Sequence, residues 1–262
     1  MDHDKAKANI EYWNKRALEY GETGQSTLLD NNMRMLEIET VQQWLEPADD
    51  VLDLFCGNGL STLECAPYCS TIVGCDLSEH MIQNAQANLK NRKPAVENVT
   101  FEIRDALTID AAYSPGQFNT VVSVRGLINL PSWEIQQEAI LKIYNLLPGG
   151  GKYILIEGAK EGRENINALR RELSLPPLTE PWFNTNISSV LLDAFMKPYF
   201  TVRDERNLDI YFLISRILYP FACQPENPEF DNIANVVARL LVPYASTDRG
   251  TTLLISRCFI KR

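Results

Sequence analysis

The chain is short of histidine, of positive charge and of long apolar runs, and each shortage removes a class of function. His3 and His80 are its only histidines; one lies near the terminus and the other at the outer start of an expected helix, so no histidine general base is expected. Lys and Arg number 25 against 34 Asp and Glu, a formal charge of −9. That balance repels a phosphate backbone, and no Lys/Arg cluster is present to build a local basic groove, so no nucleic-acid partner is expected. No run reaches the roughly 20 apolar residues of a membrane span. The longest candidate, Ile210 to Ala222, is short and contains Arg216. The N-terminal residues are polar and charged, without the apolar core of a signal peptide. The expectation is a cytoplasmic protein with no membrane span and with its oligomeric state open.

Cysteine is present, but not in a metal-binding pattern. Cys56, Cys65, Cys69, Cys75, Cys223 and Cys258 sit in or beside apolar runs, as buried thiols do. Cys65, Cys69 and Cys75 are closely spaced, yet they lack a paired C-x-x-C and both histidines lie outside the group, so no metal site is expected.

The most informative stretch is Val51-Leu52-Asp53-Leu54-Phe55-Cys56-Gly57-Asn58-Gly59, a short apolar run that carries one acid and then breaks into a glycine loop. A buried parallel strand that delivers its end to a nucleotide-like cofactor has this form. Asp76 closes the next apolar run and Asp105 the one after. Three carboxylates at successive strand ends suit a cofactor bearing an ammonium, a ribose and an adenine. A dinucleotide is a poorer fit, because Gly57-Asn58-Gly59-Leu60-Ser61-Thr62 lacks the third glycine of that fingerprint.

Apolar periodicity places helices over about Lys5–Tyr20 and Leu29–Leu45. Strand and helix then alternate: strands at Val51–Phe55, Thr71–Cys75, Val99–Arg104, Phe118–Val124 and Lys152–Ile156, and helices at Leu60–Cys69, Glu79–Asn91 (capped by Ser78) and Trp133–Leu147. That rhythm predicts a parallel sheet covered on both faces. After Gly158 the rhythm changes to helices near Glu164–Leu173, Ser188–Met196, Tyr211–Phe221 and Ile233–Leu241, strands near Thr201–Arg206 and Thr251–Ile260, and a loop at Gln224–Asp231. One domain is expected: an N-terminal helical flap (1–48), a cofactor-binding core (49–157), a lid or cap with late core elements (158–247) and a final strand (248–262).

From about Asp50 to Glu157 the motifs resemble, one by one, those of the class I S-adenosylmethionine-dependent methyltransferases. The strings Ile128-Asn129-Leu130-Pro131-Ser132-Trp133, Asn165-Ile166-Asn167 and Pro181-Trp182-Phe183-Asn184 are similar to a bacterial subgroup acting on small molecules or sugars. The resemblance implies an α/β, Rossmann-like, seven-stranded, mostly parallel sheet with S-adenosyl-L-methionine as cofactor and S-adenosyl-L-homocysteine as product. By residue, it implies Gly57, Asn58 and Gly59 against the methionine portion, Asp53 near its ammonium, and Asp76 on the ribose hydroxyls. Leu77 and Met81 fall on the adenine face or in the core; Asp105 and Ala106 fall on the adenine edge or in a solvent turn.

Arg125 and Asn129 are candidates for cofactor-edge or acceptor contact, or for structural hydrogen bonds. Phe55 departs from the pattern, which commonly has glycine there. Tyr20, Asn129 and Glu157 are the candidates for catalysis. Aromatic residues of the flap and cap, among them Tyr12, Trp13, Tyr20, Trp182, Phe183, Tyr211, Phe212, Tyr219 and Phe221, are expected to roof a pocket or to pack the lid. The expected reaction is methyl transfer to an O or N atom of a small-molecule acceptor. Two alternatives stay open: a protein that holds the cofactor without transferring methyl, or activates a partner, and an RNA uracil methyltransferase, which requires a late catalytic cysteine such as Cys223.

Overall fold

The computed structural model describes residues 2–224, 229–245 and 250–262, with the side chains of residues 2 and 3 outside that description. The side chain of His3 is therefore not placed, and half of the loop expected at Gln224–Asp231, residues 225–228, falls outside the described residues. Five strands, β1 (Asp50–Leu54), β2 (Thr71–Asp76), β3 (Val99–Ile103), β4 (Thr120–Val124) and β5 (Lys152–Gly158), pair in parallel. Strand β7 (Leu254–Lys261) inserts antiparallel between β5 and β6 (Phe200–Glu205), giving a seven-stranded sheet in the order β3-β2-β1-β4-β5-β7-β6.

The central strands are apolar on both faces because both faces are covered. On one side Val51, Ile72, Val122, Ile154 and Ile156 pack with α2 (Asn31–Trp44) through Leu36 and Val41, and with α3 (Leu60–Cys65) through Leu63. On the other, Leu52, Leu54, Val121, Tyr153 and Leu155 pack with Ile140, Ile143 and Leu146 of α6 (Trp133–Leu146). The alternation along β1 and β4 is the two-residue period of a strand buried between two layers.

Helix starts follow local chemistry. Asp30 caps α2 by accepting from the Met33 amide at 3.0 Å, and Ser78 caps α4 (Glu79–Asn91) by accepting from that of Met81 at 3.1 Å. Three expected helices differ in extent. Leu60–Cys69 stops at Cys65 and tightens into a 3₁₀ turn through Pro67, which has no amide to continue the helix. Helix α7 (Lys160–Glu172) starts four residues early, directly after β5. The Tyr211–Phe221 stretch is α9 (Asp209–Leu213) and α10 (Tyr219–Cys223) joined by a π turn at Ile214–Leu218. The four-residue α5 (Ile109–Ala112) is too short to leave a periodic signal.

The chain runs outward from β1 to β2 and β3, then crosses back to β4 and β5. The order therefore reverses between β1 and β4, and the crevice beyond their carboxyl ends is where ligands bind in such sheets. Helix α1 (Asp2–Tyr20) lies along α4 above that crevice. Among the described residues no helix is long and apolar enough to cross a membrane.

Candidate functional site

A cavity of about 1110 Å³ opens at this reversal, bounded by the strand ends, α1, α2 and the segment that follows α7. Asp53, Asp76 and Asp105 all line it. Asp53 is buried on β1 and accepts a hydrogen bond from Thr62 Oγ1 at 2.6 Å. Burial pushes its carboxyl up to about 7; the Thr62 bond opposes that and the charge of Asp76 adds to it. Asp76 accepts from the amide of Gly57 at 3.0 Å and from that of Ser78 at 2.8 Å, so it braces the glycine loop from the end of β2. Burial raises its carboxyl against those bonds. Asp105 accepts from the Leu107 amide at 2.9 Å, a turn bond that leaves the residue on the cavity wall. Leu77 and the fully buried Met81 line the same end, whereas Ala106 is buried and does not reach it.

The two loop glycines have different reasons. Gly57 has φ +55°, and a Cβ there would sit 2.7 Å from Thr27 Cγ2 of the flap, on the cavity wall. Gly59 opens α3 at φ +75°, and a Cβ there would strike the ring of Phe101 and Cβ of Ala85, so its constraint is core packing. Phe55 itself adopts φ +63°, the left-handed conformation that explains why glycine is common at this position. Its ring occupies the space beside Gly126, where any Cβ would lie 2.1 Å from Phe55 Cδ2. Gly126 thus makes room for the bulky residue on the loop.

Asn58 lines the cavity, but its side-chain amide donates to the flap carbonyls of Glu22 and Thr23, at 3.2 and 2.8 Å. Asn84 and Asn88 on α4 extend the strap, donating to Ala17 O at 2.9 Å and Glu22 O at 3.1 Å. The flap is also clasped from the opposite side. Lys5 Nζ donates to Thr185 Oγ1 at 2.6 Å, and Tyr12 stacks on Phe183 with ring centroids 4.4 Å apart. Tyr12, Trp13 and Phe183 line the cavity. The other expected roof aromatics do not: Trp182 is 56% exposed, Tyr211 and Phe212 are core residues, Tyr219 is half-buried outside the cavity, and Phe221 is exposed.

Of the three catalytic candidates, only Asn129 lines the cavity. Tyr20 stands off it, with the Arg16 guanidinium 4.5 Å over its ring. Glu157 is fully buried and accepts from three successive amides, Gly126 at 3.1 Å, Leu127 at 2.9 Å and Ile128 at 3.2 Å. It anchors the turn after β4, and burial pushes it up to about 7 against those bonds. Asn129 donates to Arg125 O at 2.8 Å, and its backbone carbonyl accepts from Asn9 at 2.5 Å. Arg125 lines the cavity at φ +54°, fixed by a 2.7 Å bond from its amide to Ile156 O.

Sequence reasoning missed Glu37. It projects from α2 onto the cavity wall, is 4% exposed, and has an Oε1 with no hydrogen-bond partner, 3.9 Å from Arg125 Nη1. Burial pushes its carboxyl up to about 7 in spite of Arg125 and Arg34. A carboxylate inside an otherwise apolar helix face, far from the motifs, gives no recognisable signal in one sequence. Cys56 also lines the cavity, with its thiol pushed well up by burial, whereas Cys223 is exposed and outside the cavity. Among the described residues no group of three or more His, Cys, Asp or Glu is arranged to hold a metal ion.

Comparison with known proteins agrees with this fold. A family model described as a methyltransferase domain matches residues 45–184. The chain is 47% identical over 60 residues to the 23S rRNA (uracil(1939)-C(5))-methyltransferase RlmD of Aliivibrio salmonicida, a match covering 22% of this chain and 13% of that relative. Among solved structures it is similar in fold to magnesium protoporphyrin IX methyltransferase (ChlM) from Synechocystis PCC 6803 with bound SAM, with TM-score 0.61, 15% identity, and 98% of this chain and 97% of that one covered. It is similar to the methyltransferase in a complex with the Haloferax volcanii Trm112 methyltransferase activator, with TM-score 0.62, 16% identity, and 95% and 96% covered. The cyclase SpnF is similar too, with TM-score 0.54, 17% identity, and 87% and 80% covered.

Proposed function

The chain belongs to the family of methyltransferase domains, and from that premise we propose that its cavity binds S-adenosylmethionine at the strand ends and a small-molecule acceptor beyond them, for methyl transfer to O or N. When bound, that cofactor supplies an electrophilic methyl already activated on a sulfonium. The observation that carries the reading is one cavity whose wall runs from three strand-end acids to differently charged residues of α2, α7 and the segment after it, which we read as a second compartment under the flap. At about 1110 Å³ it exceeds the roughly 300–1,000 Å³ of an ordinary small-molecule pocket, as a site for two ligands should. A protein that merely holds the cofactor has no use for the second compartment.

The residues fit the cofactor on their own chemistry. Asp53 is a buried carboxylate without a cation beside it, which a ligand ammonium would relieve. Asp76 has both oxygens held in place by backbone amides, ready to accept from vicinal hydroxyls. Gly57 lets ligand and flap approach the loop backbone. The remaining work is orientation and exclusion of water, done by the flap that Asn58, Asn84 and Asn88 strap down.

Where the acceptor atom must lose a proton, Glu37 is the carboxylate available to take it. Asp30, the other acid of that compartment, is fully engaged by the Met33 amide, Tyr211 and Arg216. Glu157 is committed to the turn. An RNA uracil methyltransferase reading needs a cysteine nucleophile at the acceptor, and Cys223 does not line the cavity.

The test is calorimetric titration of S-adenosylhomocysteine. Asp76→Ala should weaken it by about 1–3 kcal/mol through loss of charge-assisted hydrogen bonds. Unchanged affinity would remove Asp76 from the site, and no binding to the wild-type chain would end the proposal.

A further inference from the structure

Among the charged side chains around the cavity, Arg16 of α1 donates to the flap carbonyls of Ser26 and Gln25, and the rest sort by side. Asp53, Asp76 and Asp105 hold the strand-end half. The other half carries Arg34 from α2, Arg125 from the β4 exit, Arg163 from α7 and Arg216 from the π turn, with Asp30 and Glu37 as its acids. Asp30 and Arg216 form a closed ion pair and cancel. Three guanidiniums then face one carboxylate, in a chain whose overall charge is −9.

Their hydrogen bonds do not neutralise them. Arg34 donates to Thr27 Oγ1 at 2.9 Å and to the carbonyls of Gly24 and Leu28, and Arg163 donates to Thr179 O at 2.9 Å. These acceptors are neutral, so the positive charge remains. Burial and the charge of Arg125 lower the proton affinity of Arg34 and Arg163, while Glu37 and Asp30 oppose that on Arg34 and Glu180 opposes it on Arg163. Glu37 is the acid left to balance them, and its Oε1 stops 3.9 Å from Arg125 Nη1 without a hydrogen bond, so one carboxylate is shared among the guanidiniums and closes a pair with none. Arg125 is held there in a left-handed conformation that costs a non-glycine residue free energy, a strain that accumulates at functional positions. Apolar side chains of Met33, Ile38, Leu178 and Phe230 complete the wall.

We propose that the acceptor is a small amphipathic anion, an apolar body bearing a carboxylate or phosphate, with Arg163 and Arg125 gripping the anionic group on the β4–β5 side of the cavity, across from the acids of β1–β3. The proposal rests on the two-compartment reading above. A planar guanidinium suits either oxyanion, and the overall negative charge of the chain makes an internal basic pocket selective for ligands small enough to enter.

The test uses the full chain saturated with S-adenosylhomocysteine and three probes of one shape: phenylacetate, phenyl phosphate and neutral phenylacetamide, with affinities from ligand-observed NMR titration. At least one anion should bind about tenfold or more tightly than the amide, the size of a charge-assisted hydrogen bond. The carboxylate and phosphate arms show which oxyanion is preferred. Arg163→Gln should bring the anion down to the level of the amide and leave S-adenosylhomocysteine affinity within about twofold, because Arg163 follows β5, two strands from β1 and its acid.

Arg163→Lys, which keeps the charge, should retain part of the preference, and serves if the glutamine variant fails to fold. Equal binding of anion and amide overturns the inference while leaving methyl transfer standing. So does a loss of S-adenosylhomocysteine affinity in Arg163→Gln equal to the loss for the anion, which would assign the basic end to the cofactor. If the wild-type chain binds no S-adenosylhomocysteine, the functional reading fails, and the same probes on the free chain still decide whether the basic end takes anions.

Discussion

Cofactor binding should release a proton, and the amount follows from the position of Asp53. In the free protein its carboxyl sits at about 7 because it is buried, with Asp76 adding to the repulsion. An ammonium brought within a few ångströms should pull it down by about 1–3 units. Taking a value of about 5 in the complex, Asp53 is roughly three-quarters protonated before binding at pH 6.5 and almost wholly ionised after it, so about 0.7 protons leave per ligand. At pH 8 fewer than about 0.1 leave, since the free carboxyl is already ionised. The sign is fixed: binding favours the ionised form, so affinity rises with pH, by about ninefold between pH 6 and pH 8.

The assay is titration of S-adenosylhomocysteine at pH 6.5 in phosphate and in imidazole, whose ionisation enthalpies differ. The slope of apparent binding enthalpy against buffer enthalpy counts the protons. Glu37 titrates in the same range, so Asp53→Asn provides the assignment. That variant should bind more weakly and lose the buffer dependence, whereas Glu37→Gln should keep it. A wild-type slope of zero at pH 6.5, with binding intact, would refute the placement of a cation beside Asp53.

The other predictions concern the loop and the turn. Gly57→Ala sets a methyl group 2.7 Å from Thr27 Cγ2 at a left-handed φ, so it should displace the flap and weaken S-adenosylhomocysteine binding by about tenfold or more. Adding Thr27→Gly should restore part of that, and no restoration would show that the clash is not with the flap. Glu157→Gln sets an amide donor against the donors it now satisfies, so thermal denaturation at pH 5 should show a loss of about 1–3 kcal/mol. Because the folded protein holds Glu157 at about 7, above its ordinary range, the wild type loses this group's share of stability as pH rises from about 4.5 to about 7. The glutamine variant has no such loss, so the gap between them should narrow by pH 8. Unchanged stability with abolished methyl transfer would return Glu157 to the catalytic group.

What could be read from the sequence is what short-range rules encode. The β1 run and its glycine loop, the Ser78 cap and the alternating rhythm each lie within a few residues, and together they specify the doubly covered sheet. The strand-end acids were legible for the same reason, since a strand's last residues are its neighbours in sequence. Side-chain direction was less so. Asn58 sits in the loop motif, yet its amide reaches the flap carbonyls of Glu22 and Thr23, a contact across 35 residues or more that no local pattern announces. Glu157 closes a strand much as Asp53 does, but three amides of the neighbouring turn capture it. The acceptor compartment was the least legible part, because its charges come from four separated places: Arg34 and Glu37 on α2, Arg125 after β4, Arg163 on α7 and Arg216 in the π turn. Of these arginines Arg125 alone has a sequence signal, its place after the fourth strand, while Arg34, Arg163 and Arg216 have none that points to a ligand. Only the fold gathers them in one wall, and by doing so it gives a cavity in an acidic protein a basic end. The two sides of the site therefore carry opposite signs, which on the proposed reading suits a cationic methyl donor beside an anionic acceptor, neither competing for the other's place.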